Sequence, residues 1–245
     1  MTLTITNREL SLEVAYNVRH IGGYSTREGR LTSESVVRSA GLHRLTPNGI
    51  GALSDYGITA IVDLRSSMER ERDVTPDPTS GGIRHLFAPV FEQDHSPVGM
   101  ADEFPGYAVV YERMLETGQA AYRTLFEVIA ETEGRVLFHC SAGKDRTGVA
   151  AALMLGLVGV DAGTIAEDYS HSARLLEPLL DEWLPKMAER GVDAERGRQL
   201  MTSNPEDMLS TLSHIDRFYG GPAGYLESIG ISTATMSSVK AKLVA

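Results

Sequence analysis

Two short, nearly unbroken apolar runs stand out from a chain that otherwise mixes apolar and polar positions. Ile58-Thr59-Ala60-Ile61-Val62-Asp63-Leu64-Arg65 is rich in β-branched residues, and Val136-Leu137-Phe138 is its shorter counterpart. Runs of this kind predict strands buried on both faces, as in a parallel sheet. Leu31, Val36-Val37 and Ile83 to Phe87 predict further short strands, and residues 1–16 a peripheral lead-in. Thr46-Pro47 predicts a helix N-cap followed by proline at the first helical position, with Gly57 as the stop. Ser67 to Val74 reads as a charged helical turn with a solvated face. Tyr107 to Leu115 and Ala120 to Ala130 read as helices parted by Gly118, after an irregular polar loop from Phe91 to Pro105.

The segment Val149 to Leu157 is apolar nearly all round, which predicts a helix buried against the sheet. Asp161 to Leu184 predicts two helices, interrupted near Pro178 and closed near Pro185. Residues 186–207, charged and containing Gly191 and Gly197, predict a mobile helical excursion. Met208 to Phe218 and Thr235 to Leu243 supply the last helices. Strands interspersed with helices predict an α/β fold, a central mostly parallel sheet flanked by helices. With no internal repeat and no boundary between composition blocks, residues 1–245 are expected to form one domain.

Between the second apolar run and the buried helix lies His139-Cys140-Ser141-Ala142-Gly143-Lys144-Asp145-Arg146-Thr147-Gly148. A tight loop feeding a helix N-terminus turns successive N–H groups inward, and the helix dipole adds to their field. That arrangement cradles a dianion and favours a thiolate at its mouth, where Cys140 stands. Arg146, six positions on, can hold two phosphate oxygens with its planar fork. The alternative, an inert buried cysteine at a strand end, leaves the adjoining Lys-Asp-Arg unexplained.

This C-x5-R string, with its preceding His and its Arg-Thr-Gly ending, resembles the loop of the cysteine-dependent protein tyrosine phosphatases. The fuller H-C-x-x-G-K-D-R-T-G resembles that of a bacterial branch typified by a mycobacterial enzyme, some members of which also act on phosphoserine, phosphothreonine or phosphoinositides. Asn17-Val18-Arg19-His20-Ile21-Gly22-Gly23-Tyr24 is similar to an N-x-R-x-x-G-G-Y segment of that branch, and Asp63-Leu64-Arg65 to its D-L-R. The resemblance spans most of residues 15–243. It implies a tyrosine-phosphatase-like fold with lid helices over the site, here about residues 181–210. It also implies that Asp145 is the general acid. Many tyrosine phosphatases instead place that Asp on a W-P-D loop, but the single tryptophan, Trp183, lies beyond Cys140. Asp145 ranks first, Asp102 and Asp94 are the alternative acids, and the competing reading of Asp145 is an ion-paired brace. Ser141, Ala142, Gly143 and Lys144 complete the expected cradle, with Lys144 as a second positive charge. Thr147 is expected to donate a hydrogen bond to the thiolate. His139, Asp63 and Arg65 are expected to support the loop, or, for the last two, to form a plain surface salt bridge.

Composition narrows the setting. A net charge of −10 without a long basic run argues against nucleic-acid binding and avid docking on anionic membranes. No signal-like leader and no run of about 18 apolar residues occurs, so a cytoplasmic protein without membrane insertion is expected, with signal-less export left open. One cysteine allows no intrachain disulfide. No Cys/His spacing of a zinc site is present, and no metal or cofactor is expected. The expected partner is a phosphorylated protein or a phosphoinositide. Competing readings are a phosphoinositide phosphatase as the main activity, a catalytically silent phospho-binding module, and sulfur transfer by a loop cysteine.

Overall fold

A computed structural model describes residues 4–6, 8–92 and 104–244. Seven strands form one sheet in the order β1-β2-β3-β4-β7-β5-β6. They are β1 (Thr4–Thr6), β2 (Glu9–Ser11), β3 (Arg19–His20), β4 (Val36–Ser39), β5 (Ile58–Asp63), β6 (Arg84–Phe87) and β7 (Arg135–His139). The four strands from β4 onward pair in parallel, with β7 between β4 and β5. The short lead-in strands add an antiparallel edge. Leu31 makes only an isolated bridge with Ser25.

Alternation along the parallel strands divides their side chains between two cores. Val36, Ala60, Val62, Val136 and Phe138 face one cluster, and Val37, Ile58, Ile61 and Leu137 face the other. This is why the apolar runs are nearly continuous: each residue in turn has a face to fill. The second cluster is closed by α1 (Pro47–Asp55), whose N-cap Thr46 accepts from Gly49 as expected. The first is closed by α3 (Tyr107–Thr117), α4 (Gln119–Glu131) and α5 (Asp145–Leu157). Helix α2 (Ser67–Arg72) follows β5.

After α5 come α6 (Ala162–Leu176), a short 3-10 turn at Glu177–Leu179, α7 (Leu180–Ala188) and α8 (Ala194–Leu200). Helices α9 (Pro205–Tyr219), α10 (Pro222–Ser228) and α11 (Thr233–Leu243) end the chain. One expectation fails here. Pro185 does not close a helix but lies inside α7. It removes one hydrogen bond, while Leu184 and Met187 on either side stay packed in a small cluster with Leu176, Leu179 and Leu200. Gly197 has a packing role. A Cβ there would lie 2.7 Å from Leu184, so its absence lets α8 press on α7. Among the described residues no helix is long and apolar enough to cross a membrane.

Candidate active site

β7 ends at His139 and α5 begins at Asp145, four residues earlier than the apolar pattern predicts. The motif's Asp-Arg-Thr-Gly is therefore the first turn of a thirteen-residue helix, and residues 140–144 alone make the turn. Gly143 makes that turn possible. Its φ is +67°, and a Cβ there would lie 2.3 Å from the Ser39 carbonyl oxygen. Cys140 is 2% exposed and lines a cavity of about 530 Å³ together with Ser141, Ala142, Lys144, Asp145 and Arg146. The residues singled out by the motif thus converge on one space at a helix N-terminus.

Arg146 reaches back over the loop as expected, and it does not stand alone. Its Nη1 and Nη2 donate to the two carboxylate oxygens of Glu69, at 2.5 and 2.7 Å. Ser141 Oγ donates to the same carboxylate at 2.5 Å. Burial works to raise the Glu69 carboxyl, but Arg146 and Ser141 outweigh it and hold it well below the usual carboxylate range. Arg146 is raised in turn, its pairing with Glu69 overcoming burial. The grip is end-on through Nη1 and Nη2, and Nε makes no hydrogen bond to a described residue, which leaves it for a second acceptor. Glu69 was expected on a solvated face. It is turned inward because Ser66 and Glu69 form a reciprocal capping box at the start of α2, which fixes the carboxylate toward the loop. The S-x-x-E spacing after Asp-Leu-Arg carried that signal.

Lys144 reaches beyond the loop. Its ammonium donates to Tyr107 Oη at 2.9 Å and to the carbonyls of Leu200 at 3.1 Å and Thr202 at 2.8 Å. Burial lowers its pKa. The cation is held at the end of α8 while its side chain also lines the cavity, with the ammonium 3.4 Å from Asp145. Thr147 Oγ1 is buried without a hydrogen bond to any described residue, so the expected bond to the thiolate is not formed here.

Asp145 accepts from Tyr111 Oη at 2.6 Å, which is itself 2.6 Å from Tyr169 Oη, and its Oδ1 lies 3.4 Å from the Lys144 ammonium. Its side chain keeps 14% exposure toward the cavity. Asp94 and Asp102 lie outside the described residues. Trp183 and Met187 of α7 form part of the cavity wall, with Phe91 and Met114. Sequence reasoning weighed Trp183 only as a piece of a W-P-D loop and so missed this placement.

Asp63 and Arg65 are both buried, which removes the surface reading. Arg65 spans both oxygens of Asp63 and donates onward to the Asp73 carbonyl at 2.8 Å and Thr75 Oγ1 at 2.9 Å, tying β5 to the segment that follows α2. Asp63, His85 and His139 are also the described residues whose ligand atoms lie close enough, within 4.8 Å, to hold a cation. The Arg65 guanidinium already neutralises that carboxylate, so a metal ion there would sit beside a buried positive charge.

His139 is fully buried, and since a carbonyl can only accept, its Nδ1–H donates to the Cys140 oxygen at 3.1 Å. Burial lowers its pKa to about 4 against the raising charge of Asp63. An unfolded histidine takes a proton near pH ~6.5, which this site refuses until about 4, so the native state loses stability as pH falls through that window. The expected loss between pH 7 and pH 5 is about 2 kcal/mol from this group. Urea unfolding at both pH values, in the wild type and in His139→Gln, checks it. An unchanged difference between the two pH values in the variant assigns the effect to His20, His43, His85 or His171, which burial also lowers.

Residues 10–245 match the tyrosine phosphatase family. The chain is 30% identical to a tyrosine-protein phosphatase of Nostoc commune, over 89% of this chain and 76% of that one. It is also 30% identical to the triple specificity protein phosphatase PtpB of Mycobacterium tuberculosis, over 94% of this chain and 97% of that protein. A match that runs from Leu10 to residue 245 makes the chain a member of the tyrosine phosphatase family, and its enzyme class that of a protein-tyrosine phosphatase.

Proposed function

We propose that the chain hydrolyses phosphate monoesters through a phosphocysteine intermediate, acting mainly on phosphotyrosine. The observation that carries this is Cys140 at the N-terminus of α5, lining the same cavity as Arg146. The Cys140 thiolate forms a bond to phosphorus as the phosphorus–oxygen bond to the leaving group breaks. Asp145 passes its proton to that leaving oxygen. Water then attacks phosphorus and gives a proton to the Asp145 carboxylate, the sulfur–phosphorus bond breaks with its electron pair returning to the thiolate, and inorganic phosphate departs. Charge spreading over the equatorial oxygens is met by loop N–H groups and by Arg146. The wall of Trp183, Met187, Phe91 and Met114 offers an apolar flank to an aromatic ring, which favours a tyrosine ester. Helices α7 and α8 act as a lid in this reading, α7 supplying Trp183 and Met187 and α8 supplying Leu200 to the cavity lining. The name of the mycobacterial relative extends the substrate range to be tested to phosphoserine, phosphothreonine and phosphoinositides. A phosphorylated protein is the expected partner, and the cytoplasm the expected place of action.

Asp145→Asn tests the acid. A p-nitrophenolate leaves with little help, whereas a tyrosine phenolate, of parent pKa near ~10, needs the proton. The variant should slow a phosphotyrosyl peptide about tenfold more than p-nitrophenyl phosphate. Equal slowing of both would make Asp145 a brace of the loop. A soluble phosphoinositide headgroup turned over faster than the peptide by the wild type would move the main activity to lipids.

A further inference from the structure

The N-terminal segment Asn17 to Tyr24 has no part in the chemistry above, yet it lies against the back of the phosphate loop. Asn17 is buried and holds φ at +54°, a left-handed conformation that few residues other than glycine and asparagine adopt readily. Its Nδ2 donates to two loop carbonyls, Ala142 and Gly143, each at 3.0 Å. Its Oδ1 accepts from Arg19 Nη1, which fixes which way the amide faces. Arg19 is held in turn by Asp168, Nε to Oδ1 at 3.0 Å. The same carboxylate takes Arg38 Nη1 at 2.5 Å, and Arg38 Nη2 donates to the Gly143 carbonyl at 2.9 Å.

The other carbonyls of the turn are held too. The Cys140 oxygen accepts from His139, that of Ser141 from Gly41 N at 2.9 Å, and that of Lys144 from Gly148 N at 2.7 Å. A trans peptide points its C=O and the following N–H in opposite directions. Fastening the carbonyls from behind therefore aims the next N–H groups into the cradle. At Ala142 and Gly143 that fastening depends on side chains remote in sequence. The network also carries two guanidinium groups against one carboxylate, leaving one positive charge in excess behind the loop. Burial and neighbouring Arg19 lower Arg38 to about 10, so it stays charged at neutral pH.

We propose that Asn17 is a positioning residue for the phosphate loop, holding the Ala142 and Gly143 carbonyls outward so that the following N–H groups bind a phosphate dianion. The activity arm of its test rests on the phosphatase reading; the binding arm does not. Asn17→Gly is the informative substitution, because glycine accepts the left-handed backbone and removes only the amide. Calorimetric binding of inorganic phosphate to the full chain should weaken about tenfold or more, with thermal unfolding within a few degrees of the wild type. With p-nitrophenyl phosphate, kcat/KM should fall by at least the same factor. Asn17→Asp, which keeps an acceptor for Arg19 but loses both donors, should show the same or a larger loss.

Wild-type phosphate affinity in both variants overturns the proposal. So does an affinity loss that appears only with a large drop in unfolding temperature in both, since that is a general structural role. If the wild type binds phosphate but turns nothing over, and Asn17→Gly still weakens that binding, the positioning role stands and the catalytic reading falls.

Discussion

Cys140→Ser is expected to lose all measurable turnover of p-nitrophenyl phosphate while keeping its affinity for the ester. The loop donors and Arg146 belong to the backbone and to α5, so they survive replacement of one sulfur by oxygen. A serine hydroxyl in the same place is a poor nucleophile without a base, and the nearby carboxylate of Glu69 is already occupied by Arg146 and Ser141. Assays in EDTA should leave the wild-type rate unchanged, and equilibrium binding of the ester to the variant should match the wild-type KM within a small factor. Residual turnover comparable to the wild type, from a variant that unfolds normally, would end the covalent mechanism.

Arg146→Lys keeps the charge and should still lose about a hundredfold or more in kcat/KM. Two demands meet at this guanidinium. One edge is engaged end-on with Glu69, and the other must hold two phosphate oxygens in the transition state. A lysine ammonium is a point charge and cannot satisfy both. It would leave Glu69 pulled between burial and a weaker partner, which also predicts a lower unfolding temperature. Measuring kcat/KM together with inorganic phosphate binding separates the two effects. A fall of less than about tenfold would move the main stabilisation to the backbone N–H groups.

The parallel core was legible because its residues answer to two faces at once. Apart from Thr59 and Arg135 near their starts, Ile58 to Asp63 and Arg135 to His139 are buried, and a nearly continuous apolar run is the mark of that condition. The phosphate loop was legible because its chemistry requires particular residues at fixed spacing. Directions were harder. Nothing local says that the Lys144 ammonium donates to the carbonyls of Leu200 and Thr202, since those partners are 56 and 58 residues away. Glu69 was hidden for a related reason. A six-residue helix with charges on every side has no periodicity from which to read an inner face. Asn17 was visible only as part of a resemblance, because its contacts with the loop span 125 and 126 positions. Pro185 misled in the opposite sense, as a strong local stop overruled by the packing of Leu184 and Met187.

The grip of Lys144 on the end of α8 links the position of that segment to the solvation of a buried cation. An ammonium sealed from solvent can give up the Leu200 and Thr202 carbonyls only if water replaces them. Displacing residues 200–202 would uncover a cation that lies 3.4 Å from Asp145, so any such displacement needs new acceptors for the Lys144 N–H groups. The buried ammonium is thus an energetic tie between the end of α8 and the first turn of α5.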